Sequence, residues 1–81
     1  MRKLIIRNWH PGTTDQIISD FVSKYAKVGN VKLITEGNPD EHSSVIEIEA
    51  SQAQANAIAD RINGLVHEGV QLTAYAPLIA K

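Results

Sequence analysis

Cysteine is absent from this 81-residue sequence, and its absence excludes disulfides, thiolate metal sites and cysteine nucleophiles. No stretch of the chain approaches the ~20 consecutive apolar residues of a membrane-spanning helix. Positive charge is not in excess, because 8 Lys and Arg are balanced by 9 Asp and Glu, whereas strong non-specific binding to nucleic acid needs such an excess. These absences favour a cytoplasmic protein that uses no membrane, metal or cofactor.

The residues that are present are typical of one folded domain. Apolar residues make up 43% and charged residues 21% of the chain, as in ordinary globular proteins. We expect the domain to cover residues 1–76, followed by a short tail at residues 77–81. A chain of this length cannot enclose a large active site.

Hydrophobic periodicity predicts the order strand, helix, strand, strand, helix, strand. The predicted strands cover residues 3–7, 31–35, 43–50 and 70–75. Two helices are indicated by apolar stripes at i, i+3, i+4 and i+7, which are Ile18, Phe21, Val22 and Tyr25, and then Ala55, Ile58, Ala59 and Ile62. Capping boxes are expected at residues 13–16 and 51–54. This order predicts an α+β ferredoxin-like sandwich, with two helices on one face of a four-stranded antiparallel sheet.

Three spaced segments carry a family pattern in the right order. Residues 4–9, "LIIRNW", fit an apolar–aromatic–apolar–any–Asn–Leu hexamer at its apolar positions and at Asn8. Residues 25–36, "YAKVGNVKLITE", and residues 62–72, "INGLVHEGVQL", fit two further stretches. Together they resemble the RNA recognition motif (RRM) family over nearly the whole chain. That resemblance implies an open sheet face that binds single-stranded RNA.

The resemblance fails at the positions that stack bases. In the family, the second hexamer residue and the third and fifth residues of an octamer form an aromatic platform. Here these residues are Ile5, Ser43 and Val45, and the octamer's basic first position is Glu41. Because each aromatic–base stack contributes ~1–3 kcal/mol, the resemblance implies weak RNA binding.

Alternation of side chains along the strands predicts which residues face away from the helices. If Leu4 and Ile6 pack inward, the outward residues are Lys3, Ile5, Arg7, Lys32, Ile34, Ser43, Val45, Glu47, Glu49, Gln71, Thr73 and Tyr75. The candidate binding residues among them are Lys3, Ile5, Arg7, Lys32, Ile34, Ser43, Val45 and Tyr75. Ile5, Ile34 and Val45 are expected to form an apolar patch that is at least partly covered in the working protein.

Other candidate residues favour structural roles. Trp9, the only tryptophan, is predicted to pack over the end of the core. His10, His42 and His67 lack metal-ligand spacing, and no catalytic set is expected. Acylphosphatases share the predicted fold, but their Gly-rich phosphate loop has no match in "NWHPGTT".

Two functions remain for the open face. The first is a small RRM-type protein that binds single-stranded RNA weakly, without enzymatic activity. The alternative is a protein-interaction or self-association module that uses the same face. A homodimer through the patch, or the tail at residues 76–79 folded over it, would then cover the apolar side chains.

Overall fold

The computed structural model describes residues 2–35 and 42–78. Within these residues the elements are β1 (Arg2–Trp9), α1 (Asp15–Val22), β2 (Val28–Ile34), β3 (His42–Ile48), α2 (Gln52–Ile62), β4 (Val66–His67), β5 (Val70–Gln71) and β6 (Thr73–Tyr75). An antiparallel sheet has the order β2-β3-β1-β6, and both helices pack against it. The predicted ferredoxin-like α+β fold is confirmed. No helix in the described part of the chain has the length and apolar character needed to cross a membrane.

The core lies between the helices and one face of the sheet. Leu4 and Ile6 of β1 are fully buried, so the predicted inward face of this strand is confirmed. The other buried apolar residues are Trp9, Ile18, Val22, Ile46, Ile48, Ala55, Ile58, Ala59, Ile62, Leu72 and Ala74. The whole predicted stripe of α2 is therefore in the core, and within residues 2–35 and 42–78 no helix packs against the opposite face of the sheet.

Helix α1 begins differently from the prediction. Its N-cap is Thr14, whose hydroxyl accepts a hydrogen bond from the Ile17 amide at 3.2 Å. Thr13, the predicted cap, is buried and donates its hydroxyl hydrogen to the His10 carbonyl at 2.6 Å. The capping box predicted at residues 13–16 is wrong, because the Thr13 hydroxyl is engaged in the turn at residues 10–13 and does not cap the helix.

The C-terminal boundary of α1 was also predicted too late. The helix ends at Val22, and Tyr25 lies in the following turn, where its amide donates to the Val22 carbonyl at 2.9 Å. Residues 28–30, which precede the predicted second strand, form the start of β2. The pairing of β2 with β3 shifts between Val28 and Val31, and from Val31 to Ile34 it is regular. The irregularity therefore lies before the predicted strand, and the predicted alternation of Lys32 and Ile34 is kept.

Helix α2 begins with the predicted capping box. The Ser51 hydroxyl accepts from the Gln54 amide at 3.1 Å, and the Gln54 side chain accepts from the Ser51 amide at 2.9 Å. Asn63 is the C-cap, and Gly64 adopts a positive φ of 92°, a conformation that glycine takes without steric cost. The Asn63 side chain also accepts from the Ala74 amide at 3.1 Å. This bond ties the end of the helix to β6.

The predicted fourth strand, residues 70–75, is divided in two. Val70 and Gln71 pair with His67 and Val66 in a separate hairpin, while Thr73–Tyr75 pairs with β1 in the main sheet. Glu68 and Gly69 both have positive φ values, 54° and 77°, which is the conformation of a two-residue hairpin turn. The single-strand prediction was wrong because this short turn signal was not recognised.

Candidate nucleic-acid interface

One row of side chains crosses the open face of the sheet from edge to edge. Strand pairing places Lys32 opposite Val45, Val45 opposite Ile5, and Ile5 opposite Tyr75. We call these four residues the central row. Directly opposite residues on antiparallel strands have Cβ atoms about 4.5–5.5 Å apart, so the four side chains form one continuous strip.

The central row changes in character along its length. Lys32 is exposed, Val45 and Ile5 are half-buried, and the Tyr75 side chain is 46% exposed. A cation therefore stands at one edge, two aliphatic side chains form the middle, and an accessible aromatic ring stands at the other edge. The two aliphatic residues occupy the positions where the RRM resemblance implied stacking rings.

A second row lies beside the central row. It consists of Ile34, Ser43, Arg7 and Thr73, again in the order of the strands. Arg7 is exposed, and Ile34 is 38% exposed. Ile34 stands opposite Ser43, so it lies diagonal to Val45 and continues the apolar middle of the face toward the β2 edge.

On the other side of the central row, Lys3 stands directly opposite Glu47. Lys3 is exposed and Glu47 is half-buried. Glu49 was predicted to share this face, and that prediction was wrong. β3 ends at Ile48, the Glu49 carboxylate lies 3.7 Å from the Lys27 ammonium, and the residue lines a helix-side groove of about 350 Å³.

Gln71 was likewise expected on the open face but lies in the β4–β5 hairpin. The side-chain amide nitrogen of Gln71 donates to the Gly64 backbone carbonyl at 3.3 Å. The backbone carbonyl of Gln71 accepts from the Asn8 side-chain amide at 2.8 Å. Asn8 has a positive φ of 74°, a region that asparagine tolerates better than most residues. This bond holds the hairpin against the end of β1.

A buried polar contact beneath the open face supports the register of β1 and β3. The indole Nε1 of Trp9 donates to the Ser44 hydroxyl at 2.8 Å, and that hydroxyl donates to the Ile6 carbonyl at 3.2 Å. Trp9 and Ser44 are both fully buried. The prediction that Trp9 packs over the end of the core is confirmed, while the role of Ser44 was not foreseen.

The Trp9 ring is also held by two aromatic neighbours. Its centroid lies 5.6 Å from that of Phe21 and 5.5 Å from that of His67, both in edge-to-face geometry. Such pairs contribute about 0.5–1.5 kcal/mol beyond their buried area. His67 therefore belongs to an aromatic cluster at the end of the core.

The histidines and acidic residues of residues 2–35 and 42–78 include no group of three or more that could hold a metal ion. His10 approaches the Pro11 carbonyl with its Nδ1 at 2.7 Å. His42, the first residue of β3, lies opposite Trp9, and its buried Nδ1 has no hydrogen-bond partner. The three histidines are not brought together into one site.

Comparison with known proteins bears on the fold. No protein-family model matches the sequence, and neither does any curated protein. Among solved structures, Pes4 RRM3 matches with a TM-score of 0.84 at 17% identity, over 100% of this chain and 96% of that one. The RNA-binding protein PG1 matches with a TM-score of 0.80 at 13% identity, over 100% of this chain and 99% of that one.

A third match is the Rna15 RRM with bound RNA (GU), with a TM-score of 0.72 at 21% identity, over 90% of this chain and 79% of that one. At these identities the likeness concerns the fold. The chain has an RRM-like fold, as the spaced sequence segments implied.

Proposed function

We propose that this chain is an RRM-type module that binds single-stranded RNA weakly on the open face of its sheet, and that it is not an enzyme. The observation that carries the proposal is the central row across four strands. It places a cation at one end, two aliphatic side chains in the middle and an exposed aromatic ring at the other end. Two of the solved structures with this fold are an RNA-binding protein and an RRM with bound RNA, which supports the same assignment.

Tyr75 supplies the one aromatic surface of the central row. Its side chain is 46% exposed, and a base stacked on such a ring gains ~1–3 kcal/mol. Ile5 and Val45 beside it give a base a flat apolar surface without a ring. The face can therefore stack one base on a ring, where a complete aromatic platform stacks two or three, and this makes the binding weak.

The remaining attraction comes from three basic residues around the central row. Lys3, Arg7 and Lys32 are exposed on two strands of the open face, and Lys and Arg side chains are common contacts of the phosphate backbone. The net charge of the whole chain is -1, so the favourable potential is local to this face. Binding should therefore depend strongly on salt.

Raising the salt concentration from 50 to 200 mM should weaken RNA binding by roughly 20-fold. Each neutralised phosphate on a single strand contributes about −0.7 to the slope of log affinity against log salt, and three contacts give about −2. Fluorescence anisotropy with a labelled uridine-rich oligonucleotide measures this slope.

A matched pair of variants tests whether the phosphate contacts that cause the salt dependence lie on the open face. Lys32→Ala should reduce it by roughly 0.7. Lys24→Ala removes the same charge beside the helix-side groove and should leave the slope nearly unchanged. Equal effects of the two variants, or sub-micromolar affinity at physiological salt, would count against the proposal.

Self-association through the same face is the second candidate. Ile34 is 38% exposed on the sheet, and full burial of such a side chain gains ~1.5–3 kcal/mol. Leu78 is 83% exposed, so the tail does not use this residue as a cover, and Ile79 lies outside the described residues. A second copy, placed by a two-fold axis, is then the cover that we favour for the patch.

If the chain dimerises through this face, light scattering should show a mass that rises with concentration. Ile5→Glu should abolish the rise, because it places a charge in the middle of the apolar strip, and it should leave the monomer folded since Ile5 lies outside the core. Ile17→Glu, a matched change at an exposed site on α1, should have no effect. A constant monomer mass at high concentration would dismiss the dimer and leave the RNA proposal untouched.

A further inference from the structure

Lys3 and Glu47 form a pair of opposite charges at the border of the proposed RNA site. They stand directly opposite each other on β1 and β3, each two residues from a member of the central row. Residues two apart on a strand are separated by about 6.7 Å on the same face. A base lying over Ile5 and Val45 therefore extends one edge toward this pair.

The pair offers both acceptor and donor groups to that edge. An ionised Glu47 offers two acceptor oxygens, and Lys3 offers only donors. Cβ atoms of opposite residues lie about 4.5–5.5 Å apart, so the two groups reach the same planar edge side by side. The best partner has two neighbouring donors for the carboxylate and one acceptor for the ammonium.

Guanine has this pattern on its Watson–Crick edge. Its N1–H and N2–H₂ groups are adjacent donors, and its O6 is an acceptor beside them. Adenine, cytosine and uracil each offer one donor position on the corresponding edge, so they cannot donate to both carboxylate oxygens. Bidentate bonds to a charged group are the stronger and more directional kind.

We propose that the Lys3–Glu47 pair recognises the Watson–Crick edge of a guanine whose ring lies over Ile5 and Val45, which gives the site a preference for RNA containing guanine. This inference rests on the proposed RNA-binding function and adds base selectivity to it. When a guanine is bound, Lys3 contacts this base instead of a phosphate. Phosphate contacts carry no sequence information, so the selectivity arises from the Lys3–Glu47 pair.

Pentanucleotides that differ only at the central base test the preference. UUGUU should bind about fivefold or more tightly than UUAUU, UUCUU and UUUUU, in line with the discrimination of a bidentate pair. Replacing the central guanine by inosine removes the N2 amino group and should lose most of that advantage. NMR titration at low salt yields all five affinities on the unmodified chain.

Two isosteric variants separate recognition from simple charge. Glu47→Gln replaces two acceptors by one acceptor and one donor, the pattern that suits adenine, so the guanine preference should fall and adenine should gain relative to uracil. Glu49→Gln makes the same charge change outside β3, beside Lys27. It should alter affinity for all pentanucleotides alike and keep the guanine preference.

The possible failures are distinct. If all pentanucleotides bind the open face with equal affinity, the guanine inference is overturned and the RNA-binding proposal stands. A guanine preference that survives Glu47→Gln also overturns the assignment to this pair. If no pentanucleotide shifts any resonance of the open face, the proposed function fails and the inference fails with it.

Discussion

Replacing Trp9 with alanine should lower the free energy of unfolding by about 3–5 kcal/mol, the range for large aromatic side chains in cores. The indole is fully buried, and its removal leaves a cavity beside Phe21 and His67. An 81-residue domain has a total stability of about 4–12 kcal/mol at ~0.05–0.15 kcal/mol per residue. The loss is at least about a quarter of that total, so the midpoint of urea unfolding should fall markedly.

Urea unfolding followed by far-ultraviolet circular dichroism measures this loss without the tryptophan signal. Tyr75→Ala is the matched control, because it also removes an aromatic ring, but from an exposed position, and its effect should stay within about 0.5 kcal/mol. Ser44→Ala should cost about 1–3 kcal/mol, since it leaves the buried indole N–H without an acceptor. A Trp9→Ala variant as stable as the Tyr75→Ala control would contradict this account of the core.

The double substitution Ile5→Phe with Val45→Phe should strengthen binding of single-stranded RNA by at least about 30-fold. Each added ring supplies a stacking surface of ~1–3 kcal/mol, and 1.4 kcal/mol corresponds to a factor of ten. The two positions are direct partners on β1 and β3, so the new rings stand side by side, next to Tyr75. The rings restore the platform that the sequence lacks.

The matched control for this gain is Ile17→Phe, which adds a ring at an exposed site on α1. It should leave RNA affinity unchanged. Titrations at fixed low salt compare the variants, with circular dichroism to verify folding. If the double variant is folded and binds RNA no better than the parent chain, the open face is not the surface on which bases stack.

Alternation along the strands predicted the two faces of the sheet well. Leu4 and Ile6 are buried as expected, because one buried face imposes a period of two on a strand. The neighbours across strands were harder to foresee. Lys32 and Tyr75 lie at the two ends of the central row because of how the strands pair. These strands are far apart in the sequence, and periodicity within one strand does not encode their pairing.

The wrong predictions and the omission of Ser44 each have a physical cause. Thr13 and Thr14 are equally good caps by composition, and the hydrogen bond of Thr13 to the His10 carbonyl decided between them. Glu49 continued the alternating pattern of β3, yet pairing stops at Ile48. Ser44 was overlooked because its importance comes from Trp9, a partner 35 residues away.

The most direct test of the central claim is a ¹H–¹⁵N NMR titration with a pool of short single-stranded RNAs at low salt. Chemical-shift changes should concentrate around Ile5, Val45 and Tyr75 on the open face, while amides of α2 stay unchanged and the changes shrink as salt is added. Changes confined to the helix side, or none at millimolar RNA, would contradict the assignment of the open face as an RNA-binding surface.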